Sequence, residues 1–192
     1  YNTAISENSN TNPRATAAYD DQWQKKDSFS GSMYLEWKPI KQLTFKTTDA
    51  IEMNFVDGRR YWSLEANNNE SGYPQLQTTE THRETLTTSN TATYQDMFGK
   101  HSLRALIGQE AFKYMYAQNY QSSKGLNPQI PYHVSGNTTN DLSYDENTET
   151  MLSYFGILDW NYDSRYYIQA SLRADGSSLF GSNNQWGTFW SV

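Results

Sequence analysis

The sequence predicts an all-β chain, an antiparallel array of about seven strands forming part of a larger transmembrane β-barrel. Three observations lead there. Several runs alternate strictly between apolar and polar side chains, which is the period-two pattern of a strand with unlike faces. The connections between those runs alternate between short and long, and aromatic residues gather beside the short ones.

The first 27 residues are rich in Asn, Thr, Ser and Ala, with Pro13 and the acidic pair Asp20-Asp21, and read as an exposed irregular segment without helical periodicity. A strand is expected over 28–38, with Phe29, Gly31, Met33, Leu35 and Trp37 on one face and Ser28, Ser30, Ser32, Tyr34, Glu36 and Lys38 on the other. Pro39-Ile40-Lys41 turns the chain into a second strand over 42–55. Its apolar face runs Leu43, Phe45, Thr47, is interrupted at Asp49, and resumes with Ile51, Met53 and Phe55. A β-bulge near Asp49, or emergence of the strand above a membrane, would each account for the break.

A long polar connection over 56–79 contains Asp57-Gly58, Asn67-Asn68-Asn69, Gly72 and Pro74. The Thr-rich strand 80–96 follows, apolar only at Leu86, Ala92 and Tyr94, and Met97-Phe98-Gly99-Lys100 turns it into strand 101–116. There Leu103, Ala105 and Ile107 oppose Arg104, Gly108 and Glu110. After a second long connection over 117–148, strands 149–162 and 165–175 form a hairpin about Asp163-Ser164. Leu152, Tyr154, Gly156, Leu158, Trp160 and Tyr162 share a face in the first strand, as do Tyr166, Ile168, Ala170, Leu172 and Ala174 in the second. A third loop over 176–184 precedes strand 185–192.

If every strand is antiparallel to the next, the short turns all lie at one end and the long loops at the other. That asymmetry belongs to outer-membrane barrels, with short periplasmic turns and longer extracellular loops. Trp37, Tyr94, Phe98, Trp160, Tyr162, Tyr166 and Tyr167 flank the short turns, as an aromatic girdle at a membrane boundary would. Pattern alone also fits a soluble or surface-attached β-sandwich for adhesion or glycan binding, its ends sealed by aromatic residues, and a passive porin. The chain starts at Tyr1 with no initiator Met or signal peptide and ends on Trp190-Ser191-Val192, which reads as mid-strand; a segment of a longer protein is expected.

Composition narrows the function classes. Only 36% of residues are hydrophobic, yet 15% are aromatic, including 15 Tyr and 6 Trp, so the chain folds without a large aliphatic core and does not resemble a disordered one. The formal charge of -6 with no basic run argues against nucleic acid as a partner. No apolar run is long enough for a membrane helix, an argument blind to β-barrels. The absence of Cys removes disulfides, thiolate metal sites and thiol catalysis.

The string Tyr154-Phe155-Gly156, Trp160-Asn161-Tyr162, Tyr166-Tyr167, Ser171-Leu172-Arg173, Asp175-Gly176-Ser177-Ser178, Phe180-Gly181 and Trp186-Gly187 resembles the SusC/RagA family of TonB-dependent outer-membrane transporters. Gly99 to Glu110 is similar to the same family, whereas Leu179 and Trp190 depart from its pattern. The resemblance implies a plugged barrel, of a class that reaches about 22 strands. It further implies uptake of a large nutrient, an oligosaccharide or a peptide, at the outer membrane of a Bacteroidetes-type Gram-negative cell. Its implied partners are a SusD-like surface lipoprotein, outer-membrane lipid and TonB, the last through a plug and N-terminal segment absent from this sequence.

Catalytic chemistry is not expected, nor a cofactor. His82, His101 and His133 are dispersed, and Asp145, Glu146 and Glu149 lack the spacing of a calcium loop, so they read as a solvated acidic loop. Asp175-Gly176-Ser177-Ser178 reads as a turn leaving the strand, with Gly176 at positive φ. Within the motif Arg173, Asp175, Gly176, Ser177, Ser178, Phe180 and Gly181 are thus assigned structural roles. Substrate contacts are expected from flat, hydroxyl-bearing rings in or near the loops: Tyr61, Trp62, Tyr73, Tyr114, Tyr116, Tyr120 and Tyr132.

Overall fold

The computed structural model describes residues 13–66, 73–134, 139–181 and 183–192. A short helix α1 (Pro13–Tyr19) precedes seven strands: β1 (Asp21–Ile40), β2 (Leu43–Trp62), β3 (Gln75–Phe98), β4 (His101–Lys124), β5 (Thr139–Tyr162), β6 (Tyr166–Ser177) and β7 (Trp186–Ser191). They form one antiparallel sheet in the order β1-β2-β3-β4-β5-β6-β7, a pure meander. Among the described residues no second sheet packs against it, so the sandwich reading fails.

Contacts divide the chain into two compact units. The first comprises Tyr1–Ser28, Asn54–His82 and Tyr116–Glu146; the second comprises Phe29–Met53, Arg83–Met115 and Asn147–Val192. Buried hydrophobic side chains are few. In the first unit Tyr61, Leu76 and Leu126 form a small cluster, with Val134 packed against it. In the second, Phe29, Met33, Leu35, Ile107, Ile168 and Leu172 are all more than half exposed. Such exposure is unusual for a soluble domain and expected of a wall whose apolar face meets another medium.

The faces expected in the hairpin are the faces observed. β5 and β6 pair with Leu172 opposite Gly156, Leu158 opposite Ala170 and Trp160 opposite Ile168, all on the apolar side. Arg173 opposite Phe155 and Gln169 opposite Asp159 lie on the polar side. The connection is closed by the Arg165 amide donating to the Tyr162 carbonyl at 3.0 Å, with Asp163 and Ser164 at positive φ. Asp and Ser tolerate the left-handed region there because short polar side chains can bond the local backbone.

Four expectations need correction. The first 27 residues are not wholly irregular: α1 begins at Pro13, well suited to a first helical position, and β1 starts at Asp21. The connections expected over 56–79 and 117–148 are shorter than thought, because β2 runs to Trp62, β3 starts at Gln75, β4 runs to Lys124 and β5 starts at Thr139. Asp145, Glu146 and Glu149 therefore sit in a strand, where Tyr144 donates to Glu146 at 2.7 Å and Asn147 to Glu149 at 2.9 Å. Asp175-Gly176-Ser177 is likewise strand, and Gly176 is not at positive φ. It is glycine for another reason: a Cβ there would lie 2.8 Å from the Trp186 ring. Asn67-Asn68-Asn69 and Gly72 lie outside the described residues.

The interruption at Asp49 is not a bulge. Thr47 donates to Asn90 at 2.7 Å, and Thr88 donates to Asp49 at 2.7 Å. Two steps along one strand match two steps along the other, so no residue is inserted there.

Candidate functional site

On the polar side of β4, β5 and β6, charged residues form two hydrogen-bonded clusters. Arg173 donates through Nε to Asp175 at 2.7 Å and through Nη2 to Ser153 at 3.0 Å, and lies 3.4 Å from Glu110. Its guanidinium stands 5.4 Å from the centre of the Phe155 ring. That ring covers Gly108, where any Cβ would overlap it. Towards the hairpin turn, Arg104 and Gln169 donate to Asp159 at 2.9 and 2.6 Å. Alternation places these groups on one face, and the Arg104–Asp159 pair joins adjacent strands there.

The short turns carry the aromatic residues expected of them. Trp37 stacks on Phe45 with ring centres 5.5 Å apart. Trp160 donates to His101 Nδ1 at 3.2 Å, and the His101 ring lies 4.8 Å from that of Tyr162. His82 packs edge-on against Phe55. Among the described residues no group of three His, Asp or Glu side chains could hold a metal ion.

In the first unit, Arg59 is ion-paired with Asp21 and lies 4.0 Å from the centre of the Tyr132 ring and 5.5 Å from that of Trp23. Tyr132 donates its hydroxyl to Asp21 at 3.2 Å and packs edge-on against Tyr61. Desolvation, reinforced by the Asp21 carboxylate, raises the pKa of the Tyr132 phenol above its ordinary value, so the ring stays a neutral donor. Asp20 accepts from the Ser63 amide at 2.8 Å, fastening the chain as it leaves β2.

Comparison with known proteins gives the arrangement its context. No protein-family profile matches the chain. TonB-dependent receptor P3 of Formosa agariphila is 29% identical over 188 residues, 93% of this chain and 18% of that protein. TonB-dependent receptor SusC of Bacteroides thetaiotaomicron is 46% identical over 43 residues, 22% of this chain and 4% of that protein. A structure of the RagAB peptide transporter superposes with a TM-score of 0.83 at 23% identity, covering 91% of this chain and 20% of that one. Over most of its length the chain is similar to TonB-dependent receptors, and its fold is that of a segment of such a barrel. It spans roughly a fifth of the length of the full-length relatives it matches.

Within this barrel segment the seven aromatic candidates do not converge on one point. Tyr61 and Trp62 line a hollow of about 610 Å³ with Asp20, Gln22 and Arg60, the Arg60 guanidinium lying over the Trp62 ring. Tyr132 joins them through Tyr61. Tyr120 lines a separate hollow of about 460 Å³ with Thr78, Glu80 and Tyr144. Tyr73 is exposed, Tyr116 is half-buried in β4, and Tyr114 is half-buried in the second unit. Sequence reasoning missed Asp20, Asp21, Arg59 and Arg60. The signal was available as an acidic pair and a basic pair, but pairing them requires knowing that β1 and β2 extend so far.

Replacing Arg59 with Ala should loosen the segment carrying Tyr132, because a cation over an aromatic face contributes about 0.5 to 2 kcal/mol. Amide exchange at 130–134 should quicken several-fold, while Arg59→Lys, which keeps the charge but loses the planar fork, should fall between. Unchanged exchange in the Ala variant would show that the Arg59 stack does not hold this segment.

Proposed function

We propose that the chain forms part of the barrel wall and extracellular loops of a TonB-dependent outer-membrane transporter that imports an oligosaccharide or a peptide beneath a SusD-like lipoprotein. The observation that carries this reading is the division of faces across β4, β5 and β6, apolar and exposed on one side, charged and cross-linked on the other. The apolar face would meet lipid and the Arg173 face the lumen, where a plug would sit. No bond is made or broken on this segment, and neither a metal nor a cofactor is required.

The height of the apolar band supports a bilayer. From the Tyr162 rung, paired with Tyr166, to the Leu152 rung, continued by Gly176 and Trp186, is about ten residues of β5. At ~3.3 Å per residue and a tilt of about 45°, this spans ~23 Å, close to the ~25 Å apolar band of outer-membrane barrels. Tyr154 stacks on Trp186 at 6.1 Å, the kind of aromatic contact found at a membrane boundary. Thr88, the donor to Asp49, lines the same hollow as Trp186, so Asp49 breaks the apolar pattern where the strand leaves the hydrocarbon.

The long loops would lie on the extracellular side. Tyr61, Trp62, Tyr73, Tyr114, Tyr116, Tyr120 and Tyr132 are proposed as the ligand-facing aromatics. The pair of hollows at Trp62 and Tyr120 favours an extended substrate over a compact one. The test is deletion of the gene in its own organism, with growth measured on a panel of oligosaccharides and on peptides as nitrogen source. Growth should fail on one class of polymer, and removal of TonB should reproduce the loss. Normal growth on every polymer, or recovery of the complete protein in the aqueous fraction without detergent, would end this reading.

A further inference from the structure

The apolar side of the second unit carries two hollows to which the import reading assigns no ligand. One, of about 740 Å³, is lined by Ala92, Ile107, Tyr154, Gly156, Leu172 and Ala174 among others. The other, of about 500 Å³, is lined by Thr88, Lys113, Thr150, Leu152, Ser178 and Trp186 among others. They are consecutive along one face. Asn90, Gln109, Tyr154, Ala174 and Thr188 of the first stand two positions from Thr88, Ala111, Leu152, Gly176 and Trp186 of the second, in five successive strands. Two positions along a strand is one step on the same face.

The chemistry changes at that step. The first hollow is mostly apolar, with Gly156 and Ala174 beside Ile107 and Leu172, and its polar Asn90 and Gln109 are bonded to each other at 2.9 Å. The second offers the hydroxyl-bearing side chains of Thr88, Thr150 and Ser178 and one cation, Lys113. Lys113 is exposed and makes no ion pair among the described residues. Asp49, linked to this set through Thr88, accepts that hydroxyl. The stacked pair of Tyr154 and Trp186 stands at the junction, one ring lining each hollow.

We infer that these hollows together form a seat for one phosphate-bearing lipid, its acyl chain along Gly156 and Ala174 and its phosphate at Lys113, Thr150 and Ser178. An apolar trough alone would accept any hydrocarbon. What selects a phospholipid or a phosphorylated glycolipid is the unpaired ammonium one step beyond the trough, at the level of the aromatic belt where headgroups lie. The inference rests on the proposed orientation of this segment as a barrel wall with its apolar face in lipid.

The test uses the complete protein extracted from outer membranes in detergent, titrated in native mass spectrometry with dioleoylphosphatidic acid, dioleoylglycerol and inorganic phosphate separately. The phosphatidic acid should bind and the phosphate-free diacylglycerol should bind more weakly. Lys113→Gln should weaken the phosphatidic acid about fivefold, as expected for one basic residue at a lipid surface, and leave the diacylglycerol unchanged. Gly156→Leu should weaken both lipids. A Cβ at Gly156 finds its nearest neighbours at 3.7 and 4.0 Å, so the substitution fills the trough without a clash at its base. Heat-modifiable migration in the outer-membrane fraction separates the two levels of the argument. An assembled barrel that binds both lipids alike, that is indifferent to both substitutions, or that takes up inorganic phosphate alone overturns the lipid seat only. A protein that never reaches the outer membrane overturns the orientation and the seat together.

Discussion

Leu172→Arg is expected to remove most of the assembled protein from the outer membrane, while Gln169→Arg, three residues away, leaves the yield close to wild type. Leu172 is 56% exposed on the apolar face, midway between the aromatic residues that bound the band. A guanidinium there costs about 2 to 4 kcal/mol at the bilayer midplane, falling towards the interfaces. Ile168→Arg, nearer the hairpin turn and the Tyr166 ring, should be harmful but less so. Gln169 projects to the other side, where it already donates to Asp159 at 2.6 Å, so an Arg in its place would stand beside a carboxylate. The measurement is the fraction of heat-modifiable protein in purified outer membranes. Equal yields for Leu172→Arg and Gln169→Arg would mean that the two faces do not meet different media.

The elements that could be read from the sequence are those in which one face must be apolar. β6, the lower half of β1, and β5 from Leu152 onward show their period because a polar side chain on the wrong face would be penalised there. Pairing between strands carries no such signature where both faces are wet. Asp21-Gln22-Trp23-Gln24-Lys25-Lys26 is strand, yet its side chains follow no binary pattern. What positions its start is the ion pair from Asp21 to Arg59 and the bond from Asp20 to the Ser63 amide. Alternation thus reports the contrast between two environments and not the hydrogen-bond ladder itself. Helix α1, at seven residues, is too short to display an apolar stripe. The Asp175-Gly176-Ser177 segment misled for a different reason. Its composition is that of a turn, but Gly176 answers to the Trp186 ring on the neighbouring strand, a tertiary demand invisible to local chemistry. The scattered aromatic candidates show the same limit: Tyr61, Trp62 and Tyr132 are brought together, while Tyr120 lines a separate hollow.

The second large effect is expected at Gly108. Gly108→Val should destabilise the wall by about 1 to 3 kcal/mol, the usual cost of forcing extra carbon into a filled position. The added atoms meet the Phe155 ring, and that ring cannot swing freely because Arg173 stands against it. Arg173 is in turn held by Asp175, Ser153 and Glu110, so displacement of the ring should pull at the whole charged cluster. Gly156 provides the internal control, because Gly156→Ala places its Cβ in ordinary contact and should be close to neutral. Phe155→Ala will also be destabilising by itself, through loss of packing beneath Arg173. Combined with Gly108→Val it should be less harmful than the two costs added, since valine then occupies space that the ring has vacated. Residues in contact show coupling of about 0.5 to 3 kcal/mol, well within reach of denaturant unfolding of the complete barrel in detergent. Strict additivity of the two substitutions would show that the ring does not lie over Gly108, and the arrangement of the Arg173 cluster would have to be redrawn.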